Sequence, residues 1–268
     1  MSAEVDPDDL ALDEALDALA DGAPEETLER LEDVDPRRGE RWTTAAHAWL
    51  ELGEHGRAEE ALERARTSLG PEHEGVLWAE GRLRLDQWRL DEARVAFARL
   101  DPEREGAPLC ENLALLADLA GDHEQAEAFH RRASEFDPEG SPLPPRLTPE
   151  RFEELVAAAA RELPPEFQEA LEETAVVIDP MPTAEIVGAP GSGHPPDILG
   201  LFVGPPLGER ASSEPAGLPP TIFLFQRNLE RAALTQEELR EELRTTLYHE
   251  LGHALGFDEE GVDRMGLG

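Results

Sequence analysis

Two histidines and a glutamate near the end of the chain have the types and spacing that metal-dependent hydrolysis requires. His249 and His253 are four residues apart, so on a helix both imidazoles lie on one face and can reach one cation. Zinc is the ion that such a pair of neutral imidazoles most favours. Glu250 follows the first histidine, where its carboxylate can take a proton from a water activated by the metal. The pattern therefore predicts a zinc site with Glu250 as the catalytic base.

The residues around this motif predict one long helix that holds it in place. Thr235 begins a capping box with Glu238, and Gly256 can adopt a positive φ and end the helix. Tyr248, the only tyrosine, could assist an oxyanion, but its direction on the helix favours packing. A leucine at every fourth position predicts a buried stripe on a neighbouring face, formed by Leu239, Leu243, Leu247, Leu251 and Leu255.

Two histidines leave zinc short of a protein ligand, and the acids that follow the motif are candidates for the third. In the extended pattern H-E-x-x-H-x-x-G-x-x-ligand, the ligand position falls on Glu259. Asp258 is one residue from that position, and Asp263 is further along the chain. No histidine follows His253, so a three-histidine site would require His194 from an earlier loop. Glu259 and Asp258 are therefore the predicted additional ligands.

The first half of the chain is helical and repetitive. Three segments carry a small alanine at the same place, 35 and 33 residues apart, at Ala58, Ala93 and Ala126. The pattern resembles tetratricopeptide repeats, with three copies and a weaker one before them. The resemblance implies paired helices stacked into a solenoid, which either binds a protein partner, packs against the second domain or self-associates.

A proline-rich break separates this array from a segment of different pattern. Apolar runs at 175–178, 198–203 and 221–225 follow a well-capped helix and predict strands between loops rich in proline and glycine. The fold class predicted is therefore multidomain, with an all-α repeat array followed by a small α+β domain. The predicted boundaries are 1–140 for the repeats, 141–148 for the linker and 149–268 for the metal-binding domain.

Composition excludes several functions. The chain has 60 acidic residues against 24 basic ones and a formal net charge of −36, and every basic residue is arginine. Such a surface repels nucleic acid and anionic membranes. A chain without lysine also has no P-loop or Schiff-base lysine. One cysteine excludes an internal disulfide, and the absence of an apolar leader or a long apolar run predicts a cytoplasmic protein.

An ordered series of short segments accompanies the histidine motif. These segments are 152–156, 176–178, 199–202, 222–227 and 241–248. Together with the motif they resemble the minimal zincins, a group of small zincin-like bacterial metallopeptidases. The resemblance implies a zinc ion on the final helix, bound by His249, His253 and an acid at Glu259, with Glu250 as catalytic residue. That family tends to carry aspartate as its third ligand, so Asp258 stays an alternative. For the run 221–225 two hypotheses are open: by the same analogy it forms a sheet edge that holds an extended substrate, or it is an ordinary interior strand.

The sequence therefore predicts a zinc metallopeptidase that hydrolyses a peptide or protein substrate, with a repeat array for protein–protein interaction. The alternative is a non-catalytic binding scaffold that retains a metal-stabilised zincin-like module. Metal analysis and the effect of Glu250→Gln on hydrolysis distinguish the two hypotheses.

Overall fold

The computed structural model describes residues 6–189, 193–207, 219–258 and 261–262, which are mostly helical with one small mixed sheet. The helices are α1 (Pro7–Ala20), α2 (Pro24–Leu31), α3 (Gly39–Glu51), α4 (His55–Leu69), α5 (Glu74–Asp86), α6 (Leu90–Phe97), α7 (Pro102–Leu119), α8 (His123–Phe136), α9 (Pro149–Arg161), α10 (Pro165–Glu172), α11 (Ala184–Val187), α12 (Gln226–Ala232) and α13 (Gln236–Ala254). The strands are β1 (Ala175–Asp179), β2 (Gly200–Val203) and β3 (Thr221–Phe225). None of the helices in this described part is long and apolar enough to cross a membrane.

Contacts between residues group the chain into two compact units. The first unit is Met1–Leu116 with Gly188–Pro195, and the second is Ala117–Val187 with Pro196–Gly268. The helices α1 to α6 belong to the first unit, and the sheet with α9, α10, α12 and α13 belongs to the second. The predicted boundaries at 140 and 148 come from repeats and composition. Grouping by contacts does not test them, so they stay predictions.

In the first unit, α1 packs with α2, α3 with α4 and α5 with α6, and each pair is joined by the same kind of turn. One residue of each turn has a positive φ: Gly22 at 69°, Gly53 at 70° and Trp88 at 59°. The next N–H then donates five residues back, as from Glu54 to Trp49 O at 2.8 Å, which is the bond of a Schellman cap. These turns are 31 and 35 residues apart, in keeping with the predicted period. The assignment to tetratricopeptide repeats itself stays a prediction.

Trp88 occupies a turn position where the two preceding turns have glycine. Within the described residues it is the only non-glycine residue with a positive φ, a conformation that costs a side chain about 1–2 kcal/mol. Its indole Nε1 donates to the His194 carbonyl at 2.9 Å, a bond inside the first unit. This hydrogen bond offsets part of the strain and explains why tryptophan is tolerated there.

Small residues let the paired helices of the first unit approach closely, as the repeat pattern predicts. Ala58 and Ala93 are both fully buried. A Cβ placed on Gly81 would lie 2.4 Å from the ring of Phe97, so α5 and α6 are in contact at a position that only glycine can fill.

The sheet of the second unit has the strand order β1-β3-β2. β1 is parallel to β3, with Val177 opposite Phe223, and β2 is antiparallel to it, with Leu201 opposite the same residue. β3 is therefore the central strand, and Ile222 and Leu224 on it are fully buried. The hypothesis that 221–225 forms a sheet edge is wrong, because both of its sides are paired. In the described part of the chain, β1 and β2 are the outer strands of the sheet.

The last helix covers this sheet with the predicted leucine stripe. Leu239, Leu243, Leu247 and Leu251 are each 0% exposed, and they pack in one core with residues of α9, α10, α12 and β3. Burial of four leucines contributes roughly 1.5–3 kcal/mol per side chain relative to exposure. Leu255 is 37% exposed, because it lies at the C-cap, where the helix leaves the core.

Candidate metal centre

Both ends of α13 are fixed by the capping groups that the sequence predicts. Thr235 Oγ1 accepts from the Glu238 N–H at 3.1 Å, and the Glu238 carboxylate accepts from the Leu234 N–H at 2.8 Å. Gly256 has a φ of 92°, and the Phe257 N–H donates back into the last turn at 3.0 Å. The helix therefore ends directly after the histidine motif and the chain turns back there.

The two histidines of the motif are neighbours on one face of α13. Their Nε2 atoms lie 3.1 Å apart, and both side chains are half-buried. Two nitrogen ligands at about 2.0–2.1 Å from one tetrahedral zinc ion stand about 3.3 Å apart. The donor atoms and their separation therefore fit a shared zinc ion.

A backbone carbonyl orients the second imidazole. His253 Nδ1 lies 3.1 Å from the Phe257 carbonyl oxygen. Because that oxygen can only accept, Nδ1 carries the proton and Nε2 presents its lone pair to the neighbouring histidine. An outer hydrogen bond of this kind holds a metal-binding imidazole in the right tautomer and direction. The turn at Gly256 thus prepares His253 for binding a cation.

The side chain of Glu250 extends from α13 to β2, an outer strand of the sheet. It is 7% exposed, and its Oε2 accepts from the Phe202 N–H at 2.7 Å. The Leu199 carbonyl is bonded to the Phe225 N–H, so by the two-residue alternation of an antiparallel pair Leu201 also bonds toward β3 and the N–H of Phe202 points away from β3. A buried carboxylate on the residue beside a histidine ligand is suited to accept a proton, and a backbone donor fixes its direction.

Gly200 on β2 is the point of closest approach between the strand and the helix. A Cβ there would lie 2.7 Å from Thr246 Cγ2, 3.1 Å from Glu250 Cγ and 3.2 Å from Glu250 Oε1. The sequence analysis missed this residue, although an isolated glycine in an apolar strand is a signal of close backbone approach. The sequence contains no comparable signal that the Phe202 N–H binds Glu250.

Replacing Gly200 by alanine is expected to displace the Glu250 carboxylate. Relief of the contact moves the helix and strand apart, at a cost of about 1–3 kcal/mol in the free energy of unfolding measured with urea. Gly56→Ala is the matched control: a Cβ at Gly56 meets nothing within 4 Å, and the change is expected to be neutral or stabilising by up to about 1 kcal/mol. Equal stability of the two variants would contradict the close contact.

The third metal ligand is not assigned by the described residues. The predicted ligand Glu259 and the alternative Asp263 lie outside them. Asp258 is exposed, and its Oδ1 accepts from the Gly261 N–H at 2.9 Å in the turn after the helix. Over 6–189, 193–207, 219–258 and 261–262, no three His, Cys, Asp or Glu side chains are grouped so as to share a metal. Glu259 and Asp258 therefore remain predicted ligands.

Tyr248 packs against the ring of Phe167, as its direction on the helix favours. Its ring contacts that of Phe167 at a centroid distance of 4.0 Å and an interplanar angle of 78°, an edge-to-face arrangement that stabilises aromatic pairs. The contact joins α13 to α10 and packs the partly buried ring of Tyr248 against the core of the second unit.

Part of the chain is similar to a known class of protein, and that class is metal-dependent peptidases, as the histidine motif indicates. The family model for zincin-like metallopeptidases matches residues 171–267, which include all three strands and the whole of α13. The match begins after α9, somewhat later than the segment at 152–156 that carries the resemblance in the sequence. A search of curated proteins finds no match to the chain. The C-terminal third of the chain is thus similar to zincin-like metallopeptidases.

Proposed function

We propose that the protein is a zinc-dependent peptidase with its active site on α13. The observation that best supports this proposal is the pair of Nε2 atoms 3.1 Å apart on His249 and His253, with the buried glutamate Glu250 next to His249 in the chain. The similarity of residues 171–267 to zincin-like metallopeptidases supports the same class of reaction.

A zinc ion held by His249 and His253 would supply a Lewis acid that activates water and polarises a peptide carbonyl. Glu250 acts as general base: its carboxylate accepts a proton from the attacking water while the new C–O bond forms. The same carboxyl group then gives the proton to the amine as the C–N bond breaks, which restores the carboxylate. The Phe202 N–H orients this group before the substrate arrives.

An extended peptide is the substrate form that β2 suits. The Leu199 carbonyl is bonded to the Phe225 N–H, and every second residue of an antiparallel strand points the same way. The backbone groups of Leu201 and Val203 therefore face β3, and those of Gly200 and Phe202 face away from it, on the side of Glu250. The Phe202 N–H is already bonded to Glu250, so main-chain hydrogen bonds to an added strand would use the Phe202 carbonyl and the backbone groups of Gly200. Binding in this mode would present a backbone carbonyl close to the histidine pair.

The helix pairs of the first unit are proposed to recruit a protein partner or substrate. Stacked helical hairpins form extended surfaces that bind peptides in many repeat proteins. The strongly acidic chain, with a net charge of −36, favours a basic partner.

The test of the proposed function uses the full chain loaded with zinc and a broad peptide library, with products identified by mass spectrometry. We expect cleavage that stops when a chelator removes zinc and returns when zinc is added back. Zinc bound in one equivalent without any cleavage would favour the alternative, a non-catalytic scaffold with a metal-stabilised module.

A further inference from the structure

Asn228 on α12 is a buried carboxamide that the proposed chemistry does not use. It is 1% exposed. Its Nδ2 donates to two carbonyls, Pro196 O at 3.0 Å and Ile198 O at 2.8 Å, while its Oδ1 accepts from the Arg231 guanidinium at 3.3 Å. Because carbonyl oxygens only accept and a guanidinium only donates, the orientation of the amide is fixed at both ends.

The backbone segment that Asn228 holds leads directly into β2. The Leu199 carbonyl accepts from the Phe225 N–H at 2.9 Å, which begins the pairing with β3, and β2 itself starts at Gly200. Bonds at Pro196, Ile198 and Leu199 therefore fix the chain over the four residues before the strand. The position of the first strand residue follows from these three anchors.

The helix that carries Asn228 is itself held by ion pairs of Arg227 and a hydrogen bond of Glu230 within the second unit. The next residue back, Arg227, binds Asp118 Oδ1 at 2.5 Å and Glu127 Oε1 at 2.7 Å. Glu230, which is 1% exposed, accepts from the Leu147 N–H at 3.0 Å. Burial by itself raises the pKa of Glu127, but its pairs with arginine lower that pKa overall and keep the carboxylate charged. α12 is thus a firm support for the amide.

We propose that Asn228 is a positioning residue for Glu250. By holding the Pro196 and Ile198 carbonyls it places β2, and β2 places the Phe202 N–H that binds the Glu250 carboxylate. The catalytic consequence rests on the proposed function. The structural link from Asn228 to the Phe202 N–H is independent of the proposed function. It can be measured even if the protein cleaves no peptide.

The alternative is that Asn228 only satisfies two carbonyls and stabilises the fold, as buried amides commonly do. Gln168 offers a matched control for that role. Its Nε2 donates to two carbonyls two residues apart, Arg161 O at 3.2 Å and Leu163 O at 2.7 Å, at the junction of α9 and α10. Gln168 is more exposed than Asn228, but its clamp has the same form, and both of its carbonyl partners lie outside β2 and the segment that leads into it.

The test is amide hydrogen exchange of Phe202 in the full chain, followed by NMR. Asn228→Asp keeps the shape and removes both donors, so the Phe202 amide is expected to exchange at least about tenfold faster. Glu250→Ala, which removes the acceptor, defines the rate of the unbound amide. Gln168→Glu is expected to leave the Phe202 rate unchanged. An unchanged Phe202 rate in folded Asn228→Asp would overturn the proposal.

Zinc content and hydrolysis provide the second readout. Both His249 and His253 are on α13, so Asn228→Asp is expected to bind zinc like the unaltered chain while kcat/KM falls by about 10–100-fold. Unchanged kcat/KM with faster Phe202 exchange would also overturn the positioning role. If the unaltered chain cleaves nothing, the proposed function fails, and the exchange rate alone decides whether Asn228 places the Phe202 amide. Should the buried carboxylate prevent folding, Asn228→Ala, which buries no charge, carries the same comparison.

Discussion

Replacing Glu250 by glutamine is expected to leave zinc bound and to lower kcat/KM by about 10²–10⁴-fold, the usual contribution of a positioned general base. Glutamine has the same shape as glutamate, and its carbonyl oxygen can still accept from the Phe202 N–H that now binds Oε2. The variant therefore changes the ability to take a proton while the packing of the side chain is kept. Peptide hydrolysis and zinc content are measured on the same preparation.

Glu241→Gln is the control for this experiment. Glu241 is on the same helix but exposed, and its carboxylate pairs with Arg244 at 2.6 Å. Exposed pairs of this kind contribute at most about 1 kcal/mol, so we expect turnover within about twofold of that of the unaltered chain. Full turnover in Glu250→Gln would show that another group takes the proton.

Replacing His253 by glutamine is expected to lower the affinity for zinc by more than about 100-fold. Loss of an outer hydrogen-bond partner alone costs 10–100-fold in known sites, and loss of a ligand costs more. Since zinc binds the folded chain, the increase in Tm on adding zinc should be lost with the affinity. Isothermal titration with zinc and thermal unfolding with and without zinc measure the two effects.

His55→Gln provides the matched histidine control. His55 begins α4 in the first unit and has no role in the proposed centre, so this variant is expected to bind one equivalent of zinc with unchanged affinity. Retention of tight zinc binding by His253→Gln would place the metal elsewhere and remove the support for the centre on α13.

The helix that carries the site could be predicted because its signals are local. The Thr235 cap, the positive φ at Gly256 and four of the five leucines of the stripe agree with the sequence, since each depends on neighbours within one turn. Leu255 differs because burial ends where the helix ends. The face shared by His249 and His253 follows from the same four-residue spacing.

The sheet could not be predicted in the same way. Each strand was located from its apolar run, but which strand lies in the centre depends on pairing between residues 18 or more positions apart, as for Val203 and Thr221. The sequence analysis therefore left an edge strand and an interior strand open for 221–225, and the pairing makes it the interior one. The bond from Phe202 to Glu250 depends on that order, and so does the clamp made by Asn228. Trp88 was missed for another reason: a tertiary bond to His194 sustains a turn conformation that sequence rules assign to glycine.

Anomalous scattering at the zinc edge from crystals of the zinc-loaded chain tests the central claim most directly. The account predicts one strong peak about 2.0–2.1 Å from Nε2 of both His249 and His253, and the same map identifies the acid that completes the site. Zinc-loaded crystals with the two histidines ordered and no peak between them would contradict a metal centre on α13, and with it the proposed peptidase mechanism.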